Sequence, residues 1–291
     1  MKAILTVGIS ASGKTTWVEE FVEQNSDWVN LNRDDIRFSH FCKGERNWRK
    51  FNWKHEKEVS RIFSRELDLV VEHQLNVIIS DTNLNPKYRN ILINQLEEYG
   101  YEVEIKEFEI DLEEAVKRDL LRQNSVGREV TYKQYLQWLE YKGFEKYVMP
   151  TGRMCVIVDV DGTVANSVGI RGPFEWEKVD QDKPISEVMD IVDGLYKMGY
   201  HIVFLSGRDS VCYDATKKWL EKYFNFPIEL YTREQDDMRK DYIVKLELFK
   251  KYVADNYAVW MVIDDRKQTI EQAWTPLGLK VINVGKIHER F

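Results

Sequence analysis

The sequence predicts an α/β protein of two domains, each a parallel sheet flanked by helices. Three observations predict this fold. The 291 residues suffice for about two domains of ordinary size. Short apolar segments alternate with segments of helical period, which is typical of parallel strands joined by helices. The stretch 149–153 contains Pro and Gly and is predicted to be a linker, and the alternation restarts after it. The predicted domains are therefore 1–148 and 153–291.

Composition and charge are those of an ordinary soluble globular protein, with 43% hydrophobic and 31% charged residues. The net charge is −7, from −4 in residues 1–150 (22 basic, 26 acidic) and −3 in the remainder (20 basic, 23 acidic). A nucleic-acid partner would therefore need a local basic patch. The first apolar run is too short for a signal peptide or a membrane span. Three cysteines without metal-site spacing favour a reducing cytoplasm.

The segment 8–15 matches the pattern G-x-x-x-x-G-K-[ST]. An apolar strand is predicted before it, at 3–7, and a helix after it, from Thr16. In this context backbone N–H groups surround the phosphates of a nucleotide, Lys14 neutralises the outer phosphates, and the Thr15 hydroxyl binds Mg²⁺. The predicted nucleotide-binding residues are Gly8, Ser10, Ser12, Gly13, Lys14, Thr15 and Thr16.

A second predicted strand, 28–31, leads into the charged segment 32–37. Carboxylates and arginines that directly follow a strand of a P-loop domain usually face the cleft. Asp34 could then accept the proton of an attacking hydroxyl, and Arg37 could bind a phosphate of the acceptor. Equally, Asp34 could be the N-cap of a solvated helix. These residues alone leave both interpretations open.

The segment 43–65 has eight Lys or Arg residues against three Glu, with aromatic residues interleaved. Basic groups that grip phosphates and aromatic faces that stack bases suit a single-stranded nucleic-acid end. The alternative is an amphipathic helix with a solvated basic face. The apolar stripe from Val59 to Leu67 favours this alternative for Arg61 and Arg65. Whether residues 41–54 contact nucleic acid stays open.

A third apolar strand, 77–79, ends near Asp81, and a carboxylate at such a place can hold or orient Mg²⁺. A helix at 86–99, an edge strand at 102–109 and a helix capped by Asp111 are predicted next.

Arg122 and Arg128 then flank a Gly-containing stretch. In small kinases an Arg-bearing lid closes over the transferred phosphoryl group and excludes water. A last helix, 132–147, is expected to serve packing.

The second half repeats the arrangement of apolar strands that end in polar residues. The strand 154–158 is followed by Asp159 and Asp161, which point from the same side of the chain. This geometry puts one carboxylate against a phosphorus atom and the other near its leaving oxygen. Further polar groups follow later elements, and such groups meet at the carboxyl edge of a parallel sheet. They are Ser206, Gly207 and Arg208 after the strand 201–205, Asp241 and Lys245 on one helix face, and Asp264 and Asp265 after the strand 258–263.

The acidic pair Asp264 and Asp265 would complete a Mg²⁺ site of hard oxygen ligands. Ser206 and its neighbouring N–H groups could hold a phosphoryl oxygen.

The second half resembles the haloacid-dehalogenase-type phosphatases, and the residues that carry this resemblance are 159–163, Ser206, Lys245 and the acidic pair. From the P-loop to about residue 283, the whole chain resembles the phage-type polynucleotide 5′-kinase/3′-phosphatase family, with the kinase part first. The matching segments are 13–17, 32–35, 80–86, 171–173, 206–208, 233–235, 239–241 and 264–266.

The resemblance implies a P-loop kinase fold followed by a Rossmann-like, haloacid-dehalogenase-type phosphatase fold. It implies that Lys14 and Thr15 hold ATP phosphates and Mg²⁺, that Asp34 is the general base for the 5′-hydroxyl, and that Arg37 contacts the 3′-phosphate of the acceptor. Asp81 supports this site. Arg122 matches the lid arginine of the family. The segment after Arg122 differs in length from that of the family by three residues, so Arg128 is a rival for that role.

In the phosphatase part the resemblance implies that Asp159 is the nucleophile and Asp161 the acid/base. Both also belong to the predicted metal set. The residues implied to bind the phosphoryl group or balance its charge are Arg171, Ser206, Gly207, Arg208 and Lys245. The residues implied to surround the metal are Asp241, Asp264 and Asp265. The family forms homotetramers.

The expected activity is the healing of nucleic-acid ends. ATP- and Mg²⁺-dependent phosphorylation of 5′-hydroxyl ends of DNA or RNA would accompany removal of 3′-phosphates through an aspartyl phosphate. One alternative keeps the fold but takes nucleosides or sugars as substrates. Another is a nucleotide-gated binding module without catalysis, which the intact Lys14, Asp34, Asp159 and Asp161 disfavour. The expected partners are nucleic-acid ends and no membrane.

Overall fold

The structure, a computed structural model, describes residues 1–285. It separates into two compact units, Met1–Phe144 and Glu145–Phe291. Residues 286–291, which the sequence assigns to the second domain, lie outside the described residues. Within the second unit, the backbone N–H of Tyr147 donates to Leu277 and its hydroxyl donates to the carbonyl of Tyr257 at 2.7 Å. Across residues 1–285, no helix combines the length and the apolar character needed to cross a bilayer.

The first unit is built on a parallel sheet with the strand order β2-β3-β1-β4. Its strands are β1 (Lys2–Val7), β2 (Trp28–Leu31), β3 (Asn76–Ile79) and β4 (Glu102–Glu107). Ala3 and Leu5 of the central strand pack into one apolar cluster and Ile4 into another, because successive side chains leave opposite faces of a sheet. The sheet is therefore covered on both faces, and the expected parallel architecture is confirmed.

The helices of this unit are α1 (Lys14–Gln24), α2 (Arg33–Phe41), α3 (Glu56–Glu72), α4 (Pro86–Glu98), α5 (Leu112–Leu120) and α6 (Arg128–Tyr141). The apolar stripe of α3 is buried, as predicted, through Val59, Phe63 and Leu67. The boundaries predicted for α6 were wrong at both ends. It begins four residues earlier, after Gly127, and it ends before Gly143, whose φ of +76° belongs to a left-handed helix terminus.

The second unit has a five-stranded parallel sheet with the order β11-β10-β5-β8-β9, and a small antiparallel hairpin of β6 and β7. The strands are β5 (Met154–Val158), β6 (Ala165–Asn166), β7 (Lys183–Pro184), β8 (His201–Asp209), β9 (Glu229–Arg233), β10 (Ala258–Asp264) and β11 (Val281–Asn283). The main helices are α7 (Ser186–Lys197), α8 (Tyr213–Tyr223) and α9 (Asp241–Leu248), and a short α10 (Lys267–Thr269) follows β10.

Two predicted strand ends in this unit were wrong. The strand predicted at 201–205 continues to Asp209, so Ser206, Gly207 and Arg208 lie within β8 rather than after it. A register shift against β9 between Ser206 and Asp209 explains the error, because an irregular stretch does not show as alternation in the sequence. β10 likewise includes Asp264. These polar residues therefore sit on rigid strand backbone.

Candidate active sites

The loop between β1 and α1 opens onto a cavity of about 1080 Å³ in the first unit. The backbone of Gly13 is left-handed (φ +97°) just before α1 begins at Lys14, so the first turn of the helix faces the cavity. Among the predicted kinase residues, the cavity is lined by Ser10, Ser12, Gly13, Lys14, Thr15, Thr16, Asp34, Arg37, Asp81 and Arg122. Gly8 and Arg128 are not among its lining residues. The structure thus gathers most of this predicted set around one space.

Lys14 is buried and turned toward its own loop. Its Nζ donates to the carbonyls of Gly8 at 2.8 Å and Ile9 at 2.6 Å. Burial, followed by the nearby charge of Arg122, lowers the pKa of Lys14 to about 7, although Asp34 and Asp81 oppose the shift. These surroundings therefore disfavour the charged form of Lys14, and a bound anion would stabilise that form.

Asp34 and Arg37 lie one turn apart on α2 and form an ion pair, with 2.5 Å between Asp34 Oδ1 and an Arg37 terminal nitrogen. The other side of the Arg37 guanidinium is bound by both carboxylate oxygens of Glu56, at 3.1 and 2.6 Å. Burial raises the pKa of Asp34 above its usual value, against the effect of Arg37. A raised pKa suits a carboxylate that must accept a proton near neutral pH.

The alternative that Asp34 caps its helix was wrong. The N-cap of α2 is Asn32, whose side-chain oxygen accepts the backbone N–H groups of Asp34 and Asp35. Its side-chain nitrogen donates to Ser80, at 3.0 Å to the carbonyl and 2.9 Å to the hydroxyl. Asn32 therefore ties the start of α2 to the end of β3, and it leaves the Asp34 carboxylate directed at Arg37.

Asp81 follows β3 and binds Arg33 through the backbone N–H at 3.0 Å and the guanidinium at 3.3 Å. Burial raises the pKa of Asp81, against the effect of Arg33. Asp81 thus lies at the cavity with a fixed orientation, and Thr15 lines the same cavity.

The stretch after α5 is organised by Asp119, a carboxylate that is 1% exposed. It accepts from the Arg122 guanidinium at 2.8 Å, from Ser125 at 2.7 Å and from the backbone N–H of Gly127 at 2.9 Å. Arg122 is held at the cavity, and its Nε is buried without a hydrogen-bond partner. Arg128 instead binds Glu113 through both terminal nitrogens. Of the two candidates for the lid arginine, Arg122 lines the cavity and Arg128 does not.

In the second unit, the Lys245 ammonium lies between three carboxylates, of which Asp159 and Asp264 are buried. Its Nζ is 2.7 Å from Asp159, 3.2 Å from Asp241 and 3.0 Å from Asp264. Burial, together with the repulsion of Asp264 and Asp265, raises the pKa of Asp159 even though Lys245 opposes the shift. The pKa of Asp265 is raised to about 6 by burial and by Asp264. Four carboxylates meet here, and besides Lys245 the cations Arg233 and Arg266 lie 3.7 and 3.9 Å from Asp241, so negative charge is in excess.

This excess fits a divalent cation. One oxygen from each of Asp159, Asp264 and Asp265 lies within 4.8 Å of the others, and hard carboxylate oxygens are the ligands that Mg²⁺ prefers. Asp241 borders this group through Lys245 and through a hydrogen bond from Thr269. Asp161 is not part of the group, although the sequence places it in the metal set.

Asp161 belongs to a second cluster, of two carboxylates and two guanidiniums. Arg171 and Arg208 bind Asp161 at 2.7 and 2.8 Å, and both also bind Asp182, which the sequence analysis missed. Arg208 and Asp182 are fully buried. Burial would raise the pKa of Asp161, but the two guanidiniums hold it below the usual value. Asp161 is therefore ionised in this arrangement.

Two glycines let the backbone approach these carboxylates closely. A Cβ at Gly162, where φ is +77°, would lie 2.1 Å from an Asp265 oxygen. A Cβ at Gly207 would lie 2.0 Å from an Asp241 oxygen. Ser206, directly before Gly207, is buried, and its hydroxyl accepts the backbone N–H of Arg208 at 3.2 Å. The predicted residues Ser206, Gly207 and Arg208 are thus brought beside the predicted acidic ones.

Both units match known families of domains. Residues 4–142 match the family described as AAA domain, and residues 153–287 match the polynucleotide kinase PNKP phosphatase domain. Residues 4–142 are thus similar to AAA domains, and residues 153–287 are similar to the phosphatase domain of polynucleotide kinases. The fold class expected from the sequence is confirmed, and both matches agree with the expected family.

Individual relatives were also found. The putative bifunctional polynucleotide kinase/RNA ligase of Autographa californica nuclear polyhedrosis virus is 30% identical over 297 residues, which cover 96% of this chain. The chain spans only 42% of the length of that relative. A chain of the Pnkp1/Rnl/Hen1 RNA repair complex is 26% identical, with 99% of this chain and 97% of that chain covered and a TM-score of 0.46. The class C acid phosphatase from Bacillus anthracis is 19% identical, over 47% of this chain and 61% of that chain, with a TM-score of 0.30.

Four residues that shape the sites were not found from the sequence: Asn32, Glu56, Asp119 and Asp182. Asn32 had a readable signal, because Asn before two acidic residues is typical of an N-cap followed by an acidic first turn. Glu56 and Asp182 bind arginines on other elements, and no local pattern marks such pairs. Asp119 lies three residues before Arg122, so the i,i+3 spacing was a readable signal.

Proposed function

We propose that this chain heals nucleic-acid ends at two separate active sites. The first unit transfers the γ-phosphoryl group of ATP to a 5′-hydroxyl of DNA or RNA, and the second removes a 3′-phosphate. One observation carries the proposal, namely that two sites occur in one chain. The first is a P-loop cavity lined by Asp34, and the second is a cluster of carboxylates, lysine and arginines in a unit that matches the polynucleotide kinase phosphatase domain.

In the kinase reaction we assign ATP binding to the P-loop, with Lys14 on the outer phosphates and the Thr15 hydroxyl as a ligand of Mg²⁺. Asp34 accepts the proton of the 5′-hydroxyl as that oxygen attacks the γ-phosphorus. The incoming anion draws Lys14 away from the Gly8 and Ile9 carbonyls and stabilises its charge. Arg122 supplies positive charge to the transferred group, and a properly placed arginine can be worth roughly 10³–10⁵ in rate. Arg37 contacts a phosphate of the acceptor.

In the phosphatase reaction, an Asp159 oxygen attacks phosphorus and the bond to the 3′-oxygen breaks, which leaves an aspartyl phosphate. Asp161 gives a proton to the leaving oxygen and then takes one from the water that hydrolyses the intermediate. Mg²⁺ held by Asp159, Asp264 and Asp265 would neutralise charge on the phosphoryl oxygens. Lys245 contributes charge at the same place.

Arg171 and Arg208 explain how an ionised Asp161 gains its proton. Both guanidiniums bind Asp161 now, and a phosphate dianion would compete for them. As the guanidiniums turn to the phosphate, the pKa of Asp161 rises and the carboxyl can be protonated.

The test is to incubate the full chain with labelled γ-phosphate ATP, Mg²⁺ and 5′-hydroxyl oligonucleotides of DNA and RNA, and to measure release of 3′-phosphate in parallel. The proposal predicts transfer to oligonucleotides that excess nucleoside or mononucleotide does not suppress. Equal or better transfer to the small acceptors would contradict it and favour a small-molecule kinase.

The family resemblance also leads us to propose a homotetramer, which sedimentation equilibrium tests directly. We propose a cytoplasmic location, which is that of the host cell for a phage-encoded chain, since Cys42, Cys155 and Cys212 are buried free thiols.

A further inference from the structure

The parallel indole rings of Trp48 and Trp53 lie at the rim of the P-loop cavity, and the surface that they form is called the ledge below. The ring centroids of Trp48 and Trp53 are 6.1 Å apart and the planes differ by 2°. Both residues line the cavity, and Trp53 is 64% exposed. The two adjoining rings form one apolar surface at the cavity, and contiguous exposed apolar surface often marks an interaction site.

The chain holds this ledge in place with local structure. Each tryptophan begins a short 3-10 turn, Trp48–Lys50 and Trp53–His55, and each turn is capped by the asparagine before it. Phe51, which is 5% exposed, anchors the stretch between the turns. It packs edge-on against Trp53, with 5.3 Å between the two ring centroids. The exposure of Trp53 is thus a consequence of ordered backbone.

The ledge lies close to the residues proposed for phosphoryl transfer. The Arg37 guanidinium carbon is 5.9 Å from the Trp53 ring centroid, and the same guanidinium binds Asp34. On the other side, Trp48 Nε1 donates at 3.1 Å to the carbonyl of Asn124, which lies in the stretch after α5 that carries Arg122. An acceptor strand that presents its 5′-hydroxyl to Asp34 therefore passes the Trp53 ring within its first nucleotides.

The charges around the ledge suit a nucleic-acid backbone. Arg46 lines the cavity, and Arg49 and Lys54 are exposed beside the two rings. Cationic side chains that follow the phosphates and aromatic faces that receive bases are the usual means of binding single strands.

We propose that Trp53, backed by Trp48, stacks one of the first two bases of the 5′-hydroxyl strand. The inference rests on the kinase activity proposed above and names its substrate more closely, as an unpaired 5′ end whose base is free to stack. It also answers the question that the sequence left open for residues 41–54.

The test is a cycle of two changes, one in the protein and one in the substrate. Kinase KM and kcat are measured for Trp53→Ala, Trp53→Phe and the unchanged chain, with oligonucleotides that are intact or abasic at position 1 or 2. The proposal predicts that Trp53→Ala raises KM for the intact oligonucleotide by about 5- to 150-fold, the effect of removing one base–aromatic stack, without a comparable change in KM for ATP. Trp53→Phe keeps an aromatic face and should recover most of the loss.

The decisive comparison is the abasic substrate. One abasic position should weaken binding to the unchanged chain and have little further effect on Trp53→Ala, because the two changes remove the same contact. Tyr99→Ala is the control, since Tyr99 is a partly exposed aromatic residue of this unit that does not line the cavity. Unchanged KM in Trp53→Ala, or an equal loss for intact and abasic strands, would overturn the inference while leaving kinase activity established. Absence of transfer by the unchanged chain would instead refute the proposed function.

Discussion

Lys14 is the residue at which burial and charge conflict most directly. Its pKa is lowered to about 7 because the ammonium is buried and lies near Arg122. The carbonyls of Gly8 and Ile9 satisfy its hydrogen bonds but do not cancel its charge. An anion at the P-loop would do so, and it would return the pKa of Lys14 toward its ordinary value.

This conflict predicts proton uptake when ATP binds. At pH 8 most Lys14 side chains are neutral in the free protein, whereas a phosphate-bound Lys14 is charged, so uptake should approach one proton per ATP. Calorimetric titration at pH 8 in buffers of different ionisation enthalpy measures this number. Lys14→Gln is the control and should abolish the uptake. An observed binding enthalpy that is independent of the buffer would show that Lys14 is already charged.

Asp182 is the second residue whose surroundings lead to a prediction. It is fully buried, and one terminal nitrogen of Arg171 and one of Arg208 each donate to both Asp182 and Asp161. Removing one member of a buried ion pair typically costs about 3–5 kcal/mol, because the remaining charge is left uncompensated.

Asp182→Asn should therefore lower the thermal stability of the second unit and abolish release of 3′-phosphate, while 5′ phosphorylation is retained. Asp190→Asn, which changes an exposed carboxylate on α7, is the matched control and should leave both properties as they are. The assignment fails if Asp182→Asn melts like the unchanged chain and still removes 3′-phosphate.

At the scale of elements, α2 owes its position to its first residue. Asn32 caps the helix and also binds Ser80 at the end of β3, so it fixes the direction from which Asp34 enters the cavity. Loss of an N-cap costs about 1 kcal/mol.

We expect Asn32→Ala to lose about that much stability and, in addition, to lower kinase kcat with little change in phosphatase rate. Asn85→Ala removes the cap of α4. Asn85 also lines the cavity, but α4 carries none of the predicted catalytic residues, so this variant should cost similar stability with a smaller effect on kcat. Unfolding in urea and initial rates measure the two effects. Equal kcat in the two variants would mean that the cap serves stability alone.

The regular elements could be predicted from the sequence, whereas the ion pairs between different elements could not. The strand at 28–31 and the buried stripe of α3 follow from apolar spacing, and the P-loop follows from its motif and flanks. The irregular end of β8 has no periodic signal. Nor does the pairing of Arg37 with Glu56, because the two residues lie 19 positions apart on different helices.

At the scale of the whole molecule, the chain carries two complete clusters in two separate units. The P-loop cavity draws its lining from residues of Met1–Phe144. The carboxylates, arginines and lysine of the phosphatase cluster all belong to the second unit. No residue is shared between these two clusters of described residues. A substitution in one cluster should therefore abolish the activity of that cluster and leave the other activity intact.

The most direct test of this independence is to assay Lys14→Ala and Asp159→Asn side by side with the unchanged chain. Lys14→Ala should abolish transfer of γ-phosphate to 5′-hydroxyl ends and keep 3′-phosphate release at the original rate. Asp159→Asn should do the reverse. If either single change removed both activities from a protein that remains folded, the account of two separate sites would be contradicted.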